Sequence, residues 1–159
     1  MSLALLFSVS ILVAAEKSEH QACQHQENRF ECVEFVKNYD ADTITFNIPD
    51  VHPLLGSKIS VRLRGVDAAE LKTTNFCERK ASIKAKNLVA EILKNAKRID
   101  LINIDRDKYF RVLADVVVDR KSLSELLLKS RLAVSYQGGK KNRVNWCEML
   151  ASESEDHLD

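Results

Sequence analysis

The chain has 159 residues, 45% hydrophobic and 30% charged, a balance that fits one globular domain and excludes a disordered or membrane-embedded chain. Its 24 basic and 23 acidic side chains leave a net charge of +1, so bulk charge alone does not call for a polyanionic partner. The charge is unevenly spread. Residues 148–159 carry five acidic and no basic side chains, and the remainder, with 24 basic against 18 acidic, has a net charge of +6. A modestly basic body of this kind suits attraction of a polyanion and a solvated lysine-rich surface equally well.

The first fifteen residues hold no charged side chain and run apolar from Leu3 to Ala15, with Val13 and Ala15 at small-residue positions. The pattern predicts a signal peptide over 1–15, removed before Glu16 and too short to span a bilayer. A buried N-terminal element is the alternative. Export to the periplasm or beyond, as a monomer with no stable membrane insertion after the leader is removed, is the expectation. Cys23, Cys32, Cys77 and Cys147 agree with an oxidising compartment. Four cysteines allow three pairings and sequence does not choose among them. We take Cys23 with Cys32 and Cys77 with Cys147 as the expectation, against buried reduced thiols. No C-x-x-C pair and no His cluster argues for zinc. The domain division is a polar segment over 16–31, a folded domain over 32–150 and an acidic tail over 151–159.

Strands are expected over Cys32–Lys37, Thr43–Ile48, Ile59–Val66, Arg98–Ile104 and Val112–Val118, from period-two alternation and β-branched content. Pro49–Lys58 reads as a loop and 67–76 as irregular. A helix fits Glu78–Asn95, with Ala81, Ala85, Leu88, Val89, Ile92 and Leu93 on one face. Ser122 and Glu125 form a capping box that opens a short helix through Leu128. Gly138-Gly139 marks a turn, and a last short helix is expected over Asn142–Leu150. Five strands with a long helix between the third and fourth predict an α+β fold: a five-stranded Greek-key barrel of the OB type with two or three helices. Such barrels often bind oligonucleotides on one face.

Three segments concentrate charge where strands begin or end: Asp40-Ala41-Asp42-Thr43, then Arg62-Leu63-Arg64-Gly65-Val66-Asp67-Ala68-Ala69-Glu70, then Asp107-Lys108-Tyr109-Phe110-Arg111. Carboxylates that converge repel one another unless a hard cation joins them, and oxygen-only ligation suits Ca²⁺ or Mg²⁺. Guanidiniums beside such a site match phosphate oxygens and offset charge that grows in phosphoryl transfer. A further carboxylate can take a proton from an attacking water. Each segment alone has a plainer reading: Asp-x-Asp-Thr as a turn with an Asx hydrogen bond, and the arginines as a solvated strand face.

Taken in order, the three segments closely resemble the thermonuclease, or staphylococcal-nuclease-like, family, which reads D-G-D-T, R-x-x-x-V-D-x-P-E and D-K-Y-G-R with a helix between the second and third. The likeness covers roughly residues 33 to 136. It implies a calcium-dependent nuclease that hydrolyses DNA or RNA to 3′-phosphate products. Asp42, Asp67 and the Ala68 carbonyl would ligate Ca²⁺, with Asp40 in support. Glu70 would orient or deprotonate the attacking water, and Arg62 and Arg111 would bind the scissile phosphate. Tyr109 would contact a terminal phosphate and Tyr136 would stack on a nucleotide. Ala41, Ala69 and Phe110 replace a Gly, a Pro and a Gly of the family pattern, and Arg120 and Arg131 stand where glycines are usual. A non-catalytic nucleic-acid-binding barrel and an envelope protein that uses the barrel for protein contacts are the other readings.

Overall fold

The structure, a computed structural model, describes residues 23–155. The expected leader over 1–15, the first part of the polar segment and residues 156–159 of the acidic tail lie outside the described residues. The described residues form nine strand segments and four helices. In chain order these are β1 (Arg29–Phe30), β2 (Glu34–Asn38), β3 (Thr43–Asn47), α1 (Pro53–Gly56), β4 (Ile59–Leu63), β5 (Val66–Ala68) and α2 (Phe76–Asn95). Then follow β6 (Ile99–Arg106), β7 (Val112–Val118), β8 (Lys121–Ser122), α3 (Leu123–Lys129), β9 (Ala133–Ser135) and α4 (Trp146–Glu155).

The main sheet runs β1-β6-β7-β4-β3-β2, with β8 added to β7, and every pairing in it is antiparallel except β4 with β7. Alternation builds one apolar face. Ile44 and Phe46 of β3, Val61 and Leu63 of β4, Leu101 of β6 and Ala114 and Val116 of β7 are all sealed from solvent. Each fully buried Val, Leu, Ile or Phe contributes about 1.5–3 kcal/mol of transfer free energy. Helix α2 adds Ala81, Ala85, Val89 and Leu93, a row at intervals of four, and Ala85, Val89 and Leu93 join the same core. Its start is capped by Asn75, whose side chain accepts from the Glu78 N–H at 3.0 Å.

Among the described residues no strand ladder closes the sheet, yet its two edges, β1 and β2, are consecutive pieces of one stretch separated by three residues. The sheet therefore curls until the edges approach, and the Val33 N–H donates to the Ile99 carbonyl at 2.9 Å across the gap. The Cys23–Cys32 disulfide and the bond from Cys32 N–H to the Asp100 carboxylate (2.9 Å) fasten the turn between them. The fold is thus α+β with four helices and a mostly antiparallel sheet.

Several expected elements shift. The run Ile59–Val66 is not one strand. It breaks at Arg64-Gly65, where Gly65 adopts φ +81°, and β5 leaves the main sheet to pair antiparallel with β9. The expected Pro49–Lys58 loop contains the single turn α1, opened by Pro53 at its first position. The last helix starts at Trp146, later than expected, and continues to Glu155 into the stretch read as tail. Both expected disulfides, Cys23–Cys32 and Cys77–Cys147, are formed.

Candidate active site

Strand register places the charged segments side by side. Thr43 of β3 pairs with Arg62 of β4, and on the other side Arg62 pairs with Leu113 of β7. The start of β3, the end of β4 and the start of β7 are therefore neighbours, which brings Asp42, Arg62 and Arg111 to one end of the sheet. The Gly65 kink then turns β5 across that end, and the Tyr136 N–H donates to the Gly65 carbonyl at 2.9 Å. The segment after β9 closes the side of a cleft of about 760 Å³. Asp40, Asp42, Arg62, Glu70, Tyr109, Arg111 and Tyr136 line it, while Asp67 and Ala68 lie behind the wall and are buried.

One wall is built on strands. Asp42 and Asp67, 7% and 8% exposed, flank the Arg62 guanidinium. Arg62 Nη1 stands 3.0 Å from Asp42 Oδ2, and Nη2 stands 3.3 Å from Asp67 Oδ1 and donates to the Val66 carbonyl at 3.0 Å. Asp42 Oδ2 also accepts from the Ala68 N–H at 2.8 Å. Burial pushes the Asp42 carboxyl up to about 7, and Asp40 and Asp67 add to the rise, against the pull of Arg62 and the Ala68 N–H. Asp40 forms the Asx turn of the plainer reading: its Oδ1 accepts from the N–H groups of Asp42 (3.1 Å) and Thr43 (2.6 Å). The turn thereby sets where Asp42 enters the site.

The other wall is built on loops. Asp107 organises the turn between β6 and β7, accepting from the N–H groups of Tyr109 (2.8 Å) and Arg111 (3.0 Å) and from Arg111 Nε (2.7 Å). Burial raises the Asp107 carboxyl, but the Arg111 and Tyr109 donors outweigh it and hold the group below the ordinary carboxylate range. Arg111 lies 5.7 Å from the centre of the Tyr109 ring, a cation–π contact, and that ring is largely exposed. Tyr136 differs from the expected stacking residue in one respect, since its hydroxyl donates to the Gly139 carbonyl at 2.9 Å and braces the loop.

Three residues of the cleft were given no role of their own from sequence, although Arg64 and Asp107 stand in the charged segments. Asp107 fixes Arg111, as above. Arg64 donates from Nη2 to the Asn103 carbonyl at 2.7 Å, and its Nε is buried without a partner. Lys141 reaches in from the loop after β9, with Nζ 2.9 Å from Asp67 Oδ1 and 2.6 Å from Glu70 Oε1. Burial opposes its charge, but Glu70 and Asp67 more than offset that and hold the ammonium above its ordinary range. The sequence signal for Lys141 was a lysine pair after two glycines.

Among the described residues no group of three or more His, Cys, Asp or Glu side chains is gathered to hold a metal ion. Two buried carboxylates remain, Asp42 and Asp67, with the Ala68 backbone between them. That donor set is oxygen only, which fits a hard cation that keeps several waters and does not fit zinc.

The departures from the family pattern divide in two. Phe110, Arg120 and Arg131 adopt φ of +61°, +69° and +53°, so each sits where a glycine would be unstrained. Ala41 has no positive φ among the described residues, is 1% exposed and packs in the core. Its methyl is a contact and not a strain.

A model of the family described as staphylococcal nuclease homologue matches residues 60–156, more than half of the chain. No curated protein matches. The matched stretch takes in Arg62, Asp67, Ala68, Glu70, Tyr109, Arg111 and Tyr136 and begins after the Asp40–Asp42 turn, which strand register, the Arg62 ion pair and the Ala68 N–H join to the site. From the two arginines set by β4 and by the turn into β7, the carboxylates beside them and this match, the chain belongs to the staphylococcal nuclease homologue family.

Proposed function

We propose that the cleft hydrolyses phosphodiester bonds of DNA or RNA, with Ca²⁺ as cofactor, to products ending in a 3′-phosphate. The observation that carries this reading is the meeting of Arg62, from β4, and Arg111, from the turn that leads into β7, in one cleft with Asp42 and Glu70. A binding module gains phosphate affinity from the arginines but has no use for carboxylates beside them, which repel the backbone it binds.

Asp42, Asp67 and the Ala68 carbonyl would hold the cation, with the Asp40 turn supporting them, and a hard dication so held supplies Lewis-acid polarisation of the phosphate. Arg62 and Arg111 donate to the non-bridging phosphate oxygens and offset the charge that accumulates there. Glu70 accepts a proton from the water that attacks phosphorus in line. The P–O5′ bond breaks, the 5′ oxygen leaves and takes up a proton, and the phosphate stays on the 3′ oxygen. Tyr109 meets a terminal phosphate and Tyr136 flanks a base, so recognition is mainly of backbone with little base readout.

The curled sheet is read as an OB-type Greek-key barrel whose β1–β2 stretch serves both edges. Two disulfides support work in an oxidising compartment, periplasmic or extracellular. No described helix is long and apolar enough to cross a membrane.

The test is digestion of denatured DNA with excess Ca²⁺ and again with a chelator, followed by analysis of product ends. Ca²⁺-dependent release of 3′-phosphate ends is expected. A folded protein that binds the DNA and cleaves in neither condition would overturn the reading in favour of a binding barrel.

A further inference from the structure

Glu70 stands on backbone outside the regular elements. It follows the end of β5, residues 69–75 form no regular element, and Ala69 lacks the ring that stiffens this position in the family pattern. Its own N–H reaches Glu78 Oε1 only at 3.5 Å, and its side chain is 56% exposed. A general base so placed has many rotamers, few of them productive, and small misplacements are costly to rate.

The structure supplies a brace from elsewhere in the chain. Lys141 Nζ spans 2.6 Å to Glu70 Oε1 and 2.9 Å to Asp67 Oδ1. Asp67 is a fixed point, buried, paired to Arg62 and carried on the β5–β9 ladder. Lys141 is itself delivered by an anchored loop. Gly138 and Gly139, at φ +93° and +84°, fold the loop back, and the Tyr136 hydroxyl bonds to Gly139. Farther on, Trp146 packs in one cluster with Ala69, the residue before Glu70. Cys147 is disulfide-bonded to Cys77 in the first turn of α2. The 69–70 backbone and the 141–147 segment are thus joined by packing, by an ion pair and, seven residues past Glu70, by a covalent bond. An isolated exposed ion pair contributes little, because both side chains must be ordered for it. Here the ordering of one partner comes from the loop anchors.

We propose that Lys141 is a positioning residue of the hydrolytic site: its ammonium ties the Glu70 carboxylate to Asp67 and aims it, in place of the stiffness that a proline at 69 would give. The inference rests on the hydrolytic reading above and adds to it a residue from a loop that the motif resemblance does not reach.

The experiment compares wild type, Lys141→Met, Lys141→Arg and the neighbouring Lys140→Met as full chains on denatured DNA with saturating Ca²⁺. It reads kcat and KM separately, together with melting temperature and Ca²⁺ affinity by calorimetry. Lys141→Met is expected to lower kcat about 10- to 100-fold, with KM and melting temperature nearly unchanged. Lys141→Arg should recover much of the loss, and Lys140→Met should behave as wild type. On a Glu70→Gln background Lys141→Met should cost nothing further, because the group it positions is already gone. Wild-type kcat in Lys141→Met would overturn the proposal while leaving the hydrolytic reading intact. Tighter Ca²⁺ binding with equal or faster turnover would overturn it too, since the lysine would then only compete for Asp67. A wild-type protein without turnover would overturn the hydrolytic reading and this inference together.

Discussion

The two walls of the cleft hold their arginines by different means. Arg62 stands within β4, one residue before its end, its side chain 11% exposed, and bonds to two buried carboxylates and to backbone carbonyls. Arg111 stands at the foot of β7, its side chain 37% exposed, and is held by Asp107 in a turn. The strand-borne group is part of the fold's own electrostatic balance. The loop-borne group can be removed with little consequence for the core. In a site built in this way the two arginines weigh unequally on stability, and each of the following substitutions tests that difference.

The largest effect is expected at Arg62. Arg62→Gln leaves two buried carboxylates without their shared cation and should cost about 3 kcal/mol of stability, whereas Arg111→Gln should cost less than about 1 kcal/mol. Chemical denaturation of both variants checks the contrast, and equal losses would break it. Next is the brace of the loop wall: replacing Cys77 and Cys147 together by Ser should cost about 2–4 kcal/mol. It should also loosen the segment that carries Lys141, seen as faster amide exchange over 137–145. Smaller effects are expected at the family departures. Phe110→Gly should gain about 1 kcal/mol by relieving positive φ, while Ala41→Gly should lose about 1 kcal/mol in the core. Opposite signs at two positions that both replace a family glycine would show that the loop wall, and not the strand wall, stores the strain.

The pH dependence should fall on the same line. The Asp107 carboxyl is held below its ordinary value by Arg111 and the Tyr109 N–H, so its contribution is fully present above the unfolded value. It is lost as pH falls through the lower folded value. Acidification to below the ordinary carboxylate range should therefore release Arg111, followed by the NMR shifts of Tyr109 and Arg111 side chains, before the sheet unfolds. Removing residues 152–159 should change stability least of all, by less than about 0.5 kcal/mol.

Much of the strand wall was legible in the sequence because strands have a short, strict period. Alternation gave Val112–Val118 to the residue and Thr43–Ile48 to within one, while Arg62 was picked out by the motif and not by the alternation, which reads it as a solvated face. The break at Gly65 was hidden, since Ile59–Val66 reads as one continuous apolar–polar run and a single glycine does not announce φ +81°. The start of α2 was missed by two residues because its cap, Asn75 with Glu78 three residues on, was overlooked in a stretch read as irregular. The loop wall was legible only in its motif. Lys141 meets Glu70 across 71 residues of chain. That contact depends on a turn, a buried tryptophan and a disulfide together, none of which has a periodicity to read.

The central claim is that the two arginines act on one phosphate, and cleavage of denatured DNA by Arg62→Gln and by Arg111→Gln at saturating Ca²⁺ tests it most directly. Both should lose about 10²-fold or more in turnover despite their unequal effects on stability. Turnover near that of wild type in a folded Arg111→Gln would contradict the account, because the exposed arginine would then belong to the turn and not to the chemistry.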